Sequence, residues 1–175
     1  MKVARTIVVF ATCSLAALAQ PKAKTPAQPR YFNLVNAVQG PVELSDAELA
    51  VLANDDLMRK FSPASAGSKL TQEGLEATVV PLCGADERDL IVIGNGGSYA
   101  TTYTGPFWII RDLPAGPKIV LAESSLSLSL DTKRSNKCLN VEAFAVTATE
   151  GITTEYKFNG QQQYAVSKQT SVKLP

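Results

Sequence analysis

The sequence predicts an α+β domain that is mostly antiparallel β, a sandwich or partly open barrel with one N-terminal helical segment packed on it. Three observations carry this prediction. After Leu70 the chain divides into short runs rich in Val, Ile, Leu, Phe and Thr, spaced roughly 8 to 12 residues apart. Turn residues separate the runs at Asn95-Gly96-Gly97, Pro114-Ala115-Gly116-Pro117 and Asn159-Gly160. No helical pattern falls between them, so successive strands are expected to pair as antiparallel neighbours rather than through helical crossovers.

Residues 1–19 have the layout of a secretory signal peptide. Lys2 and Arg5 precede an apolar run from Thr6 to Leu18, and Ala17-Leu18-Ala19 supplies a small-x-small cleavage site. The run is about thirteen residues, short of the roughly 20 that cross a bilayer. Cys13 lies inside it and would leave with it. Residues 20–30 carry three prolines, three basic residues and no large apolar side chain. They read as a disordered linker to a single domain over 31–175, because nothing in them can be buried to offset ordering entropy.

The one helix signal runs from Leu44 to Phe61. Ser45 and Glu48 form a capping box, and Leu44 and Leu49 occupy the staple positions around it. Leu52, Leu57, Met58 and Phe61 extend an apolar face, Asn54-Asp55-Asp56 offers a break, and Pro63 ends the segment. Strands follow over 75–82, 89–94, 107–111, 118–123, 125–130, 139–149, 153–158 and 161–167. In the run 125–130, Leu126, Leu128 and Leu130 alternate with serines, which predicts a half-buried strand with the serines outward. Asn159-Gly160 predicts a type I′ turn between the last two strands.

Composition narrows the chemistry. The chain has no histidine, so it holds no Ser-His or Cys-His nucleophile pair and no His-ligated metal. Its 17 basic and 16 acidic residues give a formal charge of +1. Losing Lys2 and Arg5 with the signal peptide leaves 15 against 16, a charge of −1, which argues against a nucleic-acid partner. No transmembrane segment is expected after cleavage. Cys83 and Cys138 then remain as an even pair without a CxxC motif, which predicts a structural disulfide in a secreted or periplasmic protein.

Gly94-Asn95-Gly96 opens like a dinucleotide fingerprint, but Tyr99 stands where its last glycine belongs. Ser98 lacks the following glycine of a nucleophile elbow, since Ala100 is there. The stretch Cys83 to Asp89 gathers Asp86, Glu87 and Asp89, yet Arg88 intrudes and the alternate-position spacing of a calcium loop is missing. A solvated turn is the expectation, with no metal or other cofactor. Lys133, Arg134 and Lys137 form a small basic cluster, read as a solvated hairpin tip.

The stretch from Val79 to Gly94, with Gly105 to Arg111 and then Tyr156-Lys157-Phe158-Asn159-Gly160, resembles a group of small bacterial secreted proteins. In that group a strand, an Asp/Gly-rich turn like that of calcium-binding FG-GAP repeats and a second strand precede a Trp-containing strand and a Tyr-x-Phe hairpin. The present chain lacks the group's Asp-Gly-Asp-Gly turn and its Cys pair before the Trp strand. The resemblance therefore implies export and a β-rich fold, with no metal site and no reaction.

Tyr99, Tyr103 and Trp108 fall close together beside the glycine-rich loop and are the candidate binding residues for a sugar ring or a peptide. Trp108 sits in the apolar run Phe107 to Ile110, where burial is the preferred reading; Tyr99 and Tyr103, among Thr and Gly, are better placed for exposure. The expected function is an exported, non-catalytic domain that binds an unknown protein or glycan of the envelope or the extracellular space. The alternatives are a histidine-free glycan hydrolase of the carboxylate type and a purely structural envelope protein.

Overall fold

A computed structural model describes residues 30–62, 69–84, 87–95, 99 and 104–174. The proposed signal peptide, residues 20–29 of the linker, Pro63, Asp86 and Tyr103 lie outside them. In chain order the elements are β1 (Tyr31–Asn33), α1 (Asp46–Ala53), α2 (Asp56–Phe61), β2 (Leu75–Val80), β3 (Asp89–Gly94), β4 (Gly105–Leu113), β5 (Gly116–Ser125), β6 (Ser127–Ser135), β7 (Cys138–Val146), β8 (Glu150–Phe158) and β9 (Tyr164–Lys173). The strands form two antiparallel sheets, a four-stranded one in the order β2-β3-β4-β5 and a five-stranded one in the order β1-β6-β7-β8-β9. The layout is that of a sandwich, not a closed barrel.

The period-two geometry of a strand explains why the middle of the four-stranded sheet is apolar at every position. Ile91, Ile93, Phe107 and Ile109 point between the sheets and pack with Phe32, Leu128, Val141 and Phe158. Leu90, Val92, Trp108 and Ile110 project from the opposite face into a second core with Leu52, Met58 and Leu70. Helices therefore cover one face and the second sheet the other. Uninterrupted apolar runs such as Leu90–Ile93 and Phe107–Ile110 are what strands buried on both faces require.

The helix signal resolves into two short helices. Ser45 Oγ accepts from the Glu48 amide, and the Glu48 carboxylate accepts from the Ser45 amide at 2.6 Å, completing the capping box. Leu44 is buried and Leu49 packs on the same helix-side core. The break falls at Asn54-Asp55, because Asp55 Oδ1 accepts from the amides of Leu57 and Met58 and starts α2 afresh.

Other expectations are corrected. The run 125–130 is not one alternating strand, since the chain passes from one sheet to the other at Leu126, between β5 and β6. Leu128 and Leu130 do face the core, but Ser125 and Ser127 are buried at the crossover and Leu126 is half-buried. The type I′ turn is at Asn136-Lys137, with φ of 49° and 73° between the paired residues Ser135 and Cys138. At Asn159-Gly160 five residues separate the paired Phe158 and Tyr164. There the Asn159 amide bonds to Gln163 O at 2.9 Å and its side chain takes the Gln161 amide at 2.7 Å, so Asn159 opens a wider turn. β1 has no counterpart among the expected strands, being only three residues long, with Phe32 buried against the main core.

Cys83 and Cys138 are joined, linking the segment after β2 to the first residue of β7. The Leu139 amide bonds to Leu82 O at 2.9 Å beside them, so the sheets are tied at this end by both a covalent and a hydrogen bond. Among the described residues no helix is long and apolar enough to cross a membrane.

Candidate functional site

The two sheets are unequal in width, and the inequality creates a cleft. β5, the edge of the four-stranded sheet, lies across from β7, while β8 and β9 continue past it. Tyr164 is the only buried residue of β9. Between β5 and this overhang is a cleft of about 480 Å³, within the range of ligand-binding cavities. Five consecutive β5 residues, Ile119 to Glu123, line one wall. Successive side chains alternate between faces, so a wall made of consecutive residues is the edge of a strand. Tyr156, Tyr164 and Val166 form the facing wall, with Gln163 and Asp55 beside them.

The local sequence fixes the shape of β5. Ile119 pairs with Ile110 and Leu121 with Ile109, leaving Val120 as a bulge that bends the strand. From Leu121 to Ser125 the pairing with β4 is regular. The β8–β9 hairpin supplies the other wall. The Tyr164 hydroxyl donates to Leu139 O at 2.8 Å, and its ring meets Phe158 edge-on at 5.4 Å. The Tyr156 hydroxyl donates to the Glu123 carboxylate. Burial and that neighbouring carboxylate push the Tyr156 hydroxyl pKa far up, so it remains a donor. Among the described residues Glu123 meets no cation.

Asp55 has a structural task. Its Oδ1 accepts from the Trp108 indole at 2.8 Å and from the amides of Leu57 and Met58 at 2.9 and 3.3 Å. Trp108 is fully buried, so it has no surface to offer a ligand and belongs to the helix-side core. Tyr99 is half-buried against the same core, and a Cβ added at Gly94 would come within 2.8 Å of the Tyr99 Cβ. Tyr103 lies outside the described residues. The residues that do line the cleft, Glu123, Tyr156 and Tyr164, escaped the sequence reading. The apolar run Ile119 to Ala122, bounded by Lys118 and Glu123, was visible; that its strand stands at an open edge was not.

In the acidic stretch after Cys83, Glu87 is exposed, as a solvated turn would have it, but Asp89 is not. Asp89 is buried, accepting from the amides of Leu82 and Cys83 at 3.0 and 3.2 Å and from Arg111 Nε at 2.9 Å. Burial raises its pKa, and Arg111 only partly offsets this. Arg111 also binds Glu87 and lies over the Phe158 ring, 5.4 Å from its centroid. Cys83, Glu87 and Asp89 stand close enough to be metal ligands. However, the Cys83 sulfur is in the disulfide and both carboxylates are engaged by Arg111. In the basic cluster Arg134 is tied to the carbonyls of Leu82 and Lys137, which leaves Lys133 and Lys137 at the hairpin tip. This end of the molecule is a brace around the disulfide. Comparison with protein-family models, with curated proteins and with solved structures finds no match to this chain.

Proposed function

We propose that the protein is an exported, non-catalytic binding domain, periplasmic or secreted, that holds an envelope or extracellular partner in the cleft between β5 and β9. The cleft carries this reading: it combines an unpaired strand edge, apolar and tyrosine side chains, and a carboxylate that meets no cation among the described residues. Export is supported by the leader-like start of the sequence, by the resemblance of about residues 75–165 to small secreted proteins, and by the disulfide, a bond that persists in oxidising compartments.

A glycosidase of the carboxylate type needs two carboxyl groups free to act on either side of a glycosidic bond. Glu123 and Asp55 are the two acids at this cleft, and Asp55 commits its Oδ1 to three donors as the cap of α2. That favours binding over hydrolysis. The test places a photo-crosslinking phenylalanine derivative at Gln163 or Ala122, with a control at Lys133 on the β6–β7 tip, in the organism's envelope and culture medium. A discrete adduct from the two cleft positions and none from Lys133 is expected. No adduct, or the same adduct from all three positions, would refute the proposal.

A further inference from the structure

We infer that the partner presents an extended polypeptide segment, which adds to β5 as a fifth strand beneath the overhang of β8 and β9 and sets a cationic side chain against Glu123. The inference rests on the cleft being the binding site and names what the cleft takes.

Four strands face five, and the shortfall is at β5. Neighbouring strands sit roughly 4.8 Å apart in a sheet, so the next position beyond β5 falls over the inner side of β8 and β9. No strand of the described residues covers that side: Val166 is 61% exposed, and Gln169, exposed, reaches across to Thr154. A strand placed there would bring the narrower sheet to the width of the wider one.

The other three sheet edges are guarded. β1 is three residues long. β9 carries Lys168 and Lys173 and a register shift opposite Glu155/Tyr156. The edge of β2 is covered by residues 41 and 42, with Pro41 bridged to Thr78 and the Val42 amide bonded to Ala77 O at 2.9 Å. Short length, lysines, bulges and covering segments are the usual protections against strand addition. On β5 the protections of this kind, Pro117, Lys118 and the bulge at Val120, are gathered in its first half, and Leu121 to Ser125 beyond them carries no lysine, proline or register shift. A saccharide would instead seek open aromatic faces, but Tyr156 and Tyr164 are 7% and 5% exposed. The edge offers main-chain donors and acceptors, the feature another strand recognises. Glu123 adds a half-buried carboxylate that, among the described residues, is met by the Tyr156 hydroxyl alone, a seat for Lys or Arg.

Phage-displayed random dodecapeptides, panned on the purified disulfide-bonded protein, supply the probe. Selected peptides are expected to alternate apolar residues with a Lys or Arg, and to protect the amides of Leu121 to Ser125 from hydrogen exchange on binding. Glu123→Gln should weaken them about tenfold, and replacing the peptide's cation with norleucine should abolish that difference. Val166→Asp, at an exposed position, should weaken every selected peptide while the melting temperature holds. Failure to select any peptide, or protection of a different strand, overturns the inference. Saccharide binding that Val166→Asp abolishes would overturn the added strand while leaving the cleft as a binding site; absence of any crosslinked adduct would instead remove the binding reading itself.

Discussion

Asp55 connects three parts of the molecule through one carboxylate oxygen. It caps α2, takes the only hydrogen-bond donor of the Trp108 side chain, and stands at the end of the cleft. Asp55→Ala removes a cap, worth about 1 kcal/mol, and strands a buried indole N–H at about 1 to 3 kcal/mol. Urea denaturation should show a loss of about 2 to 4 kcal/mol, and Asp55→Asn, which keeps an acceptor, should lose less than half as much. Glu48 makes a pH-dependent contribution. Burial alone would raise its pKa, but the Ser45 amide and the Arg88 guanidinium outweigh burial and hold it below the ordinary 4.5. Ionised Glu48 therefore stabilises the fold above about pH 4.5, and that contribution is lost as the pH falls through the lowered value. Glu48→Gln should be less stable than the wild type at neutral pH, and thermal melts should show the gap closing in acid; a gap constant with pH would contradict the assignment. The Ser45–Glu48 box was legible in sequence because three residues separate its members. The pairing of Glu48 with Arg88, 40 residues away, has no local signature.

At the scale of elements, strands buried on both faces announced themselves by unbroken apolar runs, and β3 was bounded correctly from Asp89 to Gly94. Pattern reading went astray where the chain changes sheet. Around Leu126 the alternation of Leu and Ser was real, but the crossover reset which face each residue presents, so two serines went inside. The hairpins give a similar lesson. Asn-Gly is the favoured pair for a type I′ turn, yet the turn formed at Asn136-Lys137, where tight pairing of Ser135 with Cys138 forces positive φ on a lysine. Lys137→Gly relieves that strain and should raise stability by about 0.5 to 1 kcal/mol, read as a higher urea midpoint with an unchanged slope. A lower midpoint would show that the left-handed conformation costs little here.

For the whole molecule, the fold class and the disulfide followed from composition, punctuation and cysteine parity. Strand order did not. Nothing in the residues of β5 says that β4 is its sole neighbour, or that β9 extends past it in the other sheet. The cleft is a property of that arrangement, which is why Tyr99, Tyr103 and Trp108 attracted attention by proximity in sequence while Glu123, Tyr156 and Tyr164 did not. The central claim is that the unliganded protein leaves the edge of β5 open beneath an overhang. Residue-resolved amide hydrogen exchange by NMR tests it most directly. The amides of β3 and β4, buried on both faces, should be the slowest to exchange, and alternate amides between Leu121 and Ser125 should exchange orders of magnitude faster than their neighbours. Uniform protection along β5, equal to that of β4, would mean that the edge is already covered and would contradict the account.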